Sequence, residues 1–197
     1  MIGTELMLKS SGMACRVYME WKFERLLQKA EAHGFTEEEL RNSDHRFALF
    51  MRVGRAFEIC SEKEVVDYIT DAMIGGIQSG DADKRPDLAQ MAISALNGVT
   101  GTELNLILLM REYGLWGTSD EEILDESGFE GFQTAIHLEL GLNDASASAI
   151  LNGLTHTGLV TPQASGLGNT ANIQGNRLTH LARALFQYVD YARRLTS

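Results

Sequence analysis

Apolar residues recur along most of this chain at the three- and four-residue spacing of helices, with polar residues between them. This spacing predicts a long first helix over about residues 5–32 and a third helix around residues 47–57. A Ser or Thr followed three residues later by Glu is a capping signal, and it opens the second helix at Thr36 and the fourth at Ser61. The first half of the chain is therefore predicted to be all α.

The first helix is predicted to be amphipathic. Trp21 falls on its apolar side, whereas Lys22, Arg25 and Lys29 fall largely on the other side. We therefore expect these three cations to face solvent.

A polar stretch over residues 78–86 interrupts the helical pattern and is the best linker in the chain. It contains Asp81-x-Asp83, which superficially resembles a calcium-binding loop. The later ligand positions of such a loop do not fit, because Ala92 stands where the final glutamate is required. We expect a solvated linker, with Asp87 capping the helix that follows it.

The second half of the chain begins with a helix that is apolar nearly all round, which is typical of a helix central to a core. Thr102 is its predicted cap. Three further segments are predicted as a short helix over 119–125, a helix or insertion over 129–140, and a helix from Asn143 or Asp144 to about His156. The remaining predicted features, in order, are a stop at Gly158, a strand at Leu159–Thr161, a glycine-rich loop at 164–168, a returning strand at Asn172–Gln174, and a last helix entered through Arg177-Leu178-Thr179.

This order, with Gly158-Leu159-Val160 after one helix and Leu178-Thr179 before the last, resembles the winged helix-turn-helix superfamily over about residues 102–189. The resemblance implies a mainly α fold, in which an N-terminal helical region packs on a C-terminal winged helix-turn-helix with a short β-hairpin wing. The expected domains are residues 1–98 and residues 99–197.

Two further expectations rest on resemblance. Pro86-Asp87-Leu88, Gly101-Thr102-Glu103 and the later Gly-Leu-Val segment make the chain weakly similar to the abortive-infection alpha family of phage-defence proteins. Winged-helix regulators often dimerise through their terminal helices. The same mode of dimerisation here implies a homodimer whose interface contains Leu181, Leu185 and Val189.

Charge changes what the resemblance implies about function. The chain has 197 residues and a net charge of −10, and residues 112–176 contain no Lys or Arg but nine Asp or Glu. DNA-binding proteins draw much of their affinity from Lys and Arg placed against phosphates. We therefore predict a non-enzymatic interaction or regulatory protein whose acidic winged-helix domain binds protein rather than DNA.

The alternative is a DNA-binding transcriptional regulator that uses basic residues outside the wing. It requires Lys22, Arg25, Lys29, Arg177 and Arg183 to meet on one surface. If the protein binds nucleic acid, the expected contacts are Ser146, Ser148, Asn152, Arg177 and Arg183.

No motif for catalysis or cofactor binding is complete in this sequence. His137-Leu138-Glu139 matches the first half of a zinc-deaminase signature, but no cysteine follows Cys60 to complete it. Gly166-x-Gly168 lacks the third glycine of a dinucleotide fingerprint. Cys15 and Cys60 lack a local activating base and are predicted to be reduced, buried thiols. We predict no catalytic residue, cofactor or metal ligand.

A cytoplasmic location is expected from three features of the sequence. Two cysteines that belong to no spaced cysteine motif do not indicate a disulfide framework. The first residues lack the features of a signal peptide, and no apolar run reaches the length of a membrane span.

Overall fold

The computed structural model describes residues 2–41, 43–117, 126–162 and 175–194. This part of the chain is mainly helical, with one small antiparallel sheet of two strands. Its α-helices are α1 (Ile2–Ala32), α2 (Glu37–Arg41), α3 (Asp44–Ile59), α4 (Lys63–Gln78), α5 (Asp81–Lys84), α6 (Pro86–Ser94), α7 (Gly101–Glu112), α8 (Glu126–Glu139), α9 (Asp144–Leu154) and α10 (His180–Arg194). A 3-10 turn at Thr155–Thr157 follows α9, and the strands are β1 (Val160–Pro162) and β2 (Asn176–Leu178).

Helix α4 lies at the centre of the fold, because its residues from Val65 to Ile77 are buried on nearly every side. Helix α10 packs along it, and α1, α3 and α6 also contact it. Where α4 and α10 cross, the backbones touch. A Cβ built on Gly75 would lie 2.5 Å from the carbonyl carbon of Tyr188 and closer still to its oxygen. Only glycine permits this approach.

One continuous cluster of buried apolar side chains extends from α1 to α10. Helix α10 belongs to the predicted C-terminal domain, yet its apolar face is buried on helices of the N-terminal half. The division into residues 1–98 and 99–197 stays a prediction.

The sheet is built around Leu178. Strand β1 pairs antiparallel with β2, and Val160 lies opposite Leu178. On the other side of β2, the amide of Leu178 donates to the carbonyl of Leu115 at 2.8 Å, and the amide of Gly117 donates back to Leu178 at 2.8 Å. These two hydrogen bonds form a parallel bridge between Trp116, in the segment after α7, and Leu178 of β2.

Several predicted helix ends are confirmed. The amide of Glu39 donates to the Thr36 hydroxyl at 3.2 Å, and the amide of Thr36 donates to the Glu39 carboxylate at 2.9 Å. Asn143 caps α9 by accepting a hydrogen bond from the amide of Ser146 at 2.9 Å. Gly158 ends the turn after α9 with a left-handed backbone, at a φ of 75°. These signals are local, and the sequence shows them.

Three other caps were predicted at the wrong residue. Ser61 does not cap α4, because Glu62 takes that position without a side-chain hydrogen bond. Thr102 does not cap α7, since the capping box is formed two residues earlier by Thr100 and Glu103. Asp87 lies inside α6, which begins with a proline at its first position.

The polar stretch over residues 78–86 is not a solvated linker. It forms the end of α4, the short helix α5 and the start of α6, and Ala82 is buried. Arg46 donates to Asp83 at 2.8 Å, and the Tyr188 hydroxyl donates to Asp81 at 3.0 Å. The carboxylate of Asp83 therefore attaches α5 to α3, and the carboxylate of Asp81 attaches α5 to α10. Both partners are distant in sequence.

The face of α1 was also predicted incorrectly. Its buried stripe is Lys22, Leu26 and Ala30, while Trp21 is only half-buried. The Lys22 ammonium donates to the carbonyls of Phe57 and Cys60. It therefore satisfies carbonyls that the end of α3 leaves without helical partners.

The last helix begins at His180, so Arg177 and Leu178 belong to β2 rather than to the entry of α10. The segment predicted as a helix or insertion over 129–140 is helix α8. The predicted helix at 119–125, the glycine-rich loop at 164–168 and the returning strand at 172–174 lie outside the described residues.

Candidate interaction face on helix α9

Helix α9 turns one side to the core and the other to solvent. Ala147, Leu151 and Leu154 are buried at helical spacing. The opposite side, called here the α9 outer face, consists of exposed residues with small or polar side chains: Ala145, Ser146, Ala149, Asn152 and Gly153. These five residues are uncharged.

The one anion of α9, Asp144 at its first position, is held by helix α8. Gln133 donates to one carboxylate oxygen of Asp144 at 2.8 Å, and Nε2 of His137 lies 3.0 Å from the other. The second ring nitrogen of His137, Nδ1, lies 2.7 Å from the carbonyl oxygen of Leu142. Both nitrogens can donate to these oxygens only when the ring carries two hydrogens. Asp144 therefore has a role in fixing α9 against α8.

The five residues predicted to contact nucleic acid do not share an accessible surface. Ser146 and Asn152 are exposed on the α9 outer face. Ser148 and Arg177 are buried, so they could not reach a nucleic acid in this conformation. Arg183 is exposed on α10, where its guanidinium carbon lies 5.0 Å from the ring centre of Trp116.

Arg177 shows why a basic residue need not form a basic surface. It lies on β2, and its guanidinium donates to the carbonyl of Asn176 at 2.8 Å. Burial lowers the pKa of Arg177 below its ordinary value.

The basic patch required by DNA binding is not formed by the three α1 cations predicted for it. Lys22 is 1% exposed. Arg25 forms a two-pronged pair with Asp67, and Lys29 donates to Asp71 at 2.6 Å. These pairs were missed because exposure was inferred from polarity alone. The available signal was two aspartates four residues apart in the otherwise apolar sequence of α4.

The residues predicted for a dimer interface are mostly inside the chain's own core. Leu185 is 0% and Val189 is 1% exposed, because that side of α10 packs on α4. Leu181 is half-buried. Leu185 and Val189 therefore offer no surface to a second copy in this fold, and dimerisation itself stays a prediction.

The two cysteines differ from each other. Cys60 is buried, as predicted, and burial raises the pKa of its thiol. Cys15 is exposed, which contradicts its predicted burial. Within the described ranges, no three His, Cys, Asp or Glu side chains meet in a group that could hold a metal ion. No helix in this part of the chain is both long and apolar enough to cross a membrane.

Comparisons with known proteins do not place the chain in a family. No family model matches it, and neither the curated proteins nor the solved structures give a significant match. The resemblances to the winged-helix superfamily and to the abortive-infection alpha family therefore stay predictions.

Proposed function

We propose that this protein is a non-enzymatic interaction or regulatory protein of the cytoplasm, and that its C-terminal part binds another protein through the α9 outer face. The order of elements supports this proposal. Helix α7, the segment at residues 115–117, helices α8 and α9, the hairpin and α10 follow each other in the order expected of a winged helix. In such a module α9 would be the helix presented to a partner.

The chemistry of the α9 outer face is the observation that carries the proposal. A protein interface removes side chains from water, and its buried centre is depleted of charged residues. Ala149 lies between Ser146 and Asn152 on this face, and all three are neutral. Removing such side chains from water costs far less free energy than removing ions.

The same face is poorly suited to DNA. Contacts to phosphates require cations or well-placed hydrogen-bond donors, and the release of counterions requires cations. In the described residues from 126 to 162 there is no Lys or Arg. A duplex placed against α9 would therefore gain little electrostatic free energy.

Site-specific photo-crosslinking in the native cells tests the proposal. A photoreactive amino acid replaces Ala149 on the α9 outer face, and the control carries it at Gln187, which is exposed on α10. We expect adducts of discrete mass from the Ala149 position and not from the control. Adducts that are absent at Ala149, or equal at both positions, would contradict binding through this face.

Fluorescence anisotropy with generic duplex DNA distinguishes the regulator alternative. We expect no binding at low salt. Binding that weakens steeply as salt rises would show a basic surface elsewhere on the fold, and it would favour the DNA-binding regulator.

A further inference from the structure

A cleft of about 320 Å³ opens between α1, α4 and α10, away from the α9 outer face. Its lining consists of Lys29, Ala32, His33, Asp67, Asp71, Ala192 and Arg193. The two alanines contribute only methyl groups, which leave the space open. The volume is at the lower end of the range for small-molecule sites.

Both carboxylates of the cleft are already engaged by cations. Lys29 donates to one oxygen of Asp71 at 2.6 Å, and Nε of Arg193 donates to the other at 2.9 Å. Arg25 donates to both carboxylate oxygens of Asp67. These carboxylates therefore have little capacity left for a cationic ligand.

The charges that line the cleft balance, because Lys29 and Arg193 stand against Asp67 and Asp71. Arg25 pairs with Asp67 from outside this lining. The Lys29 ammonium has three hydrogens, and one of them is used on Asp71. Its distance to the nearest oxygen of Asp67 is 3.8 Å, which is too long for a hydrogen bond. Lys29 therefore retains donor capacity at the cleft.

His33 adds a second donor on the same wall. Its Nδ1 lies 3.3 Å from Nε2 of Gln78. With the amide donating, Nδ1 accepts and the ring hydrogen is on Nε2. The oxygen Oε1 of Gln78 is buried and has no hydrogen-bond partner in the described part of the chain.

We propose that this cleft binds the phosphate group of a small phosphomonoester. Lys29 on α1, His33 just after α1 and Arg193 on α10 line the space. A phosphate has more acceptor oxygens than a carboxylate and can receive donors from several directions. The rest of the cleft has room for a small organic group. This site is separate from the α9 outer face and does not depend on the function proposed for it.

Thermal unfolding of the full chain with inorganic phosphate, and then with glycerol phosphate, tests the proposal. The reference is sodium chloride at the same ionic strength. At about 100 times its Kd, a ligand of the native state should raise Tm by roughly 5–10 °C for a chain of this size. Lys29→Gln should weaken binding by about 10-fold or more. The matched control is Lys84→Gln, at an exposed lysine of α5 outside the cleft, and it should keep the wild-type response.

A second variant covers the risk that Lys29→Gln fails to fold, because that lysine also holds Asp71. His33→Gln leaves the pairs of Asp71 intact and should still weaken the response to phosphate. In spectra of ¹⁵N-histidine protein, phosphate should shift the ring nitrogens of His33 and leave those of the exposed His45 on α3 unchanged.

The outcomes separate the possible sources of phosphate. A response to glycerol phosphate supports a soluble ligand. Sedimentation with phosphatidic acid vesicles, without a response to glycerol phosphate, would assign the same phosphate chemistry to a lipid headgroup. No Tm response in the wild type to either phosphate and no vesicle binding would overturn the site, as would an undiminished response in both Lys29→Gln and His33→Gln.

Discussion

Replacing Gly75 with alanine should separate the two helices at the centre of the fold. A Cβ at this position would lie 2.5 Å from the carbonyl carbon of Tyr188 and 2.9 Å from its Cα, whereas ordinary van der Waals contact begins at 3.4 Å. The obstructing atoms belong to the backbone of α10, so no side-chain rotation can relieve the clash. Helix α10 would have to move away from α4.

The expected cost follows from two opposing effects. Alanine is favoured over glycine inside a helix by about 1 kcal/mol. Overpacking a buried contact costs about 1–3 kcal/mol and occasionally more. Because both helices are fixed by buried side chains along their length, the cost should exceed the upper figure. We expect a net loss of about 3 kcal/mol, which lowers Tm by roughly 6–12 °C.

The neighbouring glycine provides the matched control. A Cβ at Gly76 would meet side-chain carbons of Leu49 and Tyr188 at 3.8 Å and of Ala89 at 4.0 Å, which are ordinary contacts. Gly76→Ala should therefore leave Tm unchanged or raise it by roughly 2–4 °C. Thermal unfolding followed by circular dichroism measures both variants. If Gly75→Ala and Gly76→Ala unfold at the same temperature, the backbone contact between α4 and α10 does not exist as described.

Three further predictions concern single side chains. Lys22→Met should cost about 2 kcal/mol in urea unfolding, because two buried carbonyls at the end of α3 lose their donor; an unchanged midpoint would argue against this role. Thr100→Ala should cost about 1 kcal/mol by the same assay, and Ser61→Ala should cost nothing measurable, since only the threonine caps a helix; equal losses would refute the assignment of the caps. Burial acts to raise the pKa of Asp81, but hydrogen bonds from its arginine and tyrosine partners outweigh burial and hold that pKa below its ordinary value. Its contribution to stability is therefore present above the unfolded pKa and lost as pH falls through the folded one, so Tm should depend less on pH in this acid range in Asp81→Asn than in the wild type. Parallel curves of Tm against pH would contradict the prediction.

Much of the helical pattern could be predicted because its signals are local. The apolar spacing of α4 and α9 and the caps at Thr36 and Asn143 depend on residues within one or two turns of each other. The same is true of Gly158, whose positive φ ends the turn after α9. Such features are fixed by neighbours in sequence, so periodicity and capping rules are sufficient to find them.

The errors arose where a polar residue has a distant partner. Residues 78–86 have the composition of a linker, yet Asp83 pairs with an arginine 37 positions away. Lys22 was assigned to the solvent side of α1, yet its ammonium reaches carbonyls at least 35 positions away. Composition gives the usual environment of a residue type, and tertiary pairing overrides it.

The candidate surfaces were predictable to different degrees. Ser146 and Asn152 of α9 are exposed as polar residues usually are, whereas Ser148 on the same helix is buried. The cleft between α1, α4 and α10 was not predicted. Its walls come from three helices that are separate in the chain, so only their packing brings Lys29 close to Arg193.

The use of cations inside the fold also bears on the choice between protein and DNA as the partner. Arg25 holds α1 to α4 through a two-pronged pair with Asp67, and Arg111 holds α7 to α10 through a two-pronged pair with Asp190. A phosphate backbone could use such cations only by competing with the carboxylates that fix the helices together. Cations without ion pairs in the described residues would be needed instead. Arg52 and Arg55 on α3 and Arg183 on α10 are exposed and meet that condition, but none of them lies on α9. The DNA-binding alternative therefore depends on cations outside α9, whereas the neutral α9 outer face needs no additional surface to receive a protein.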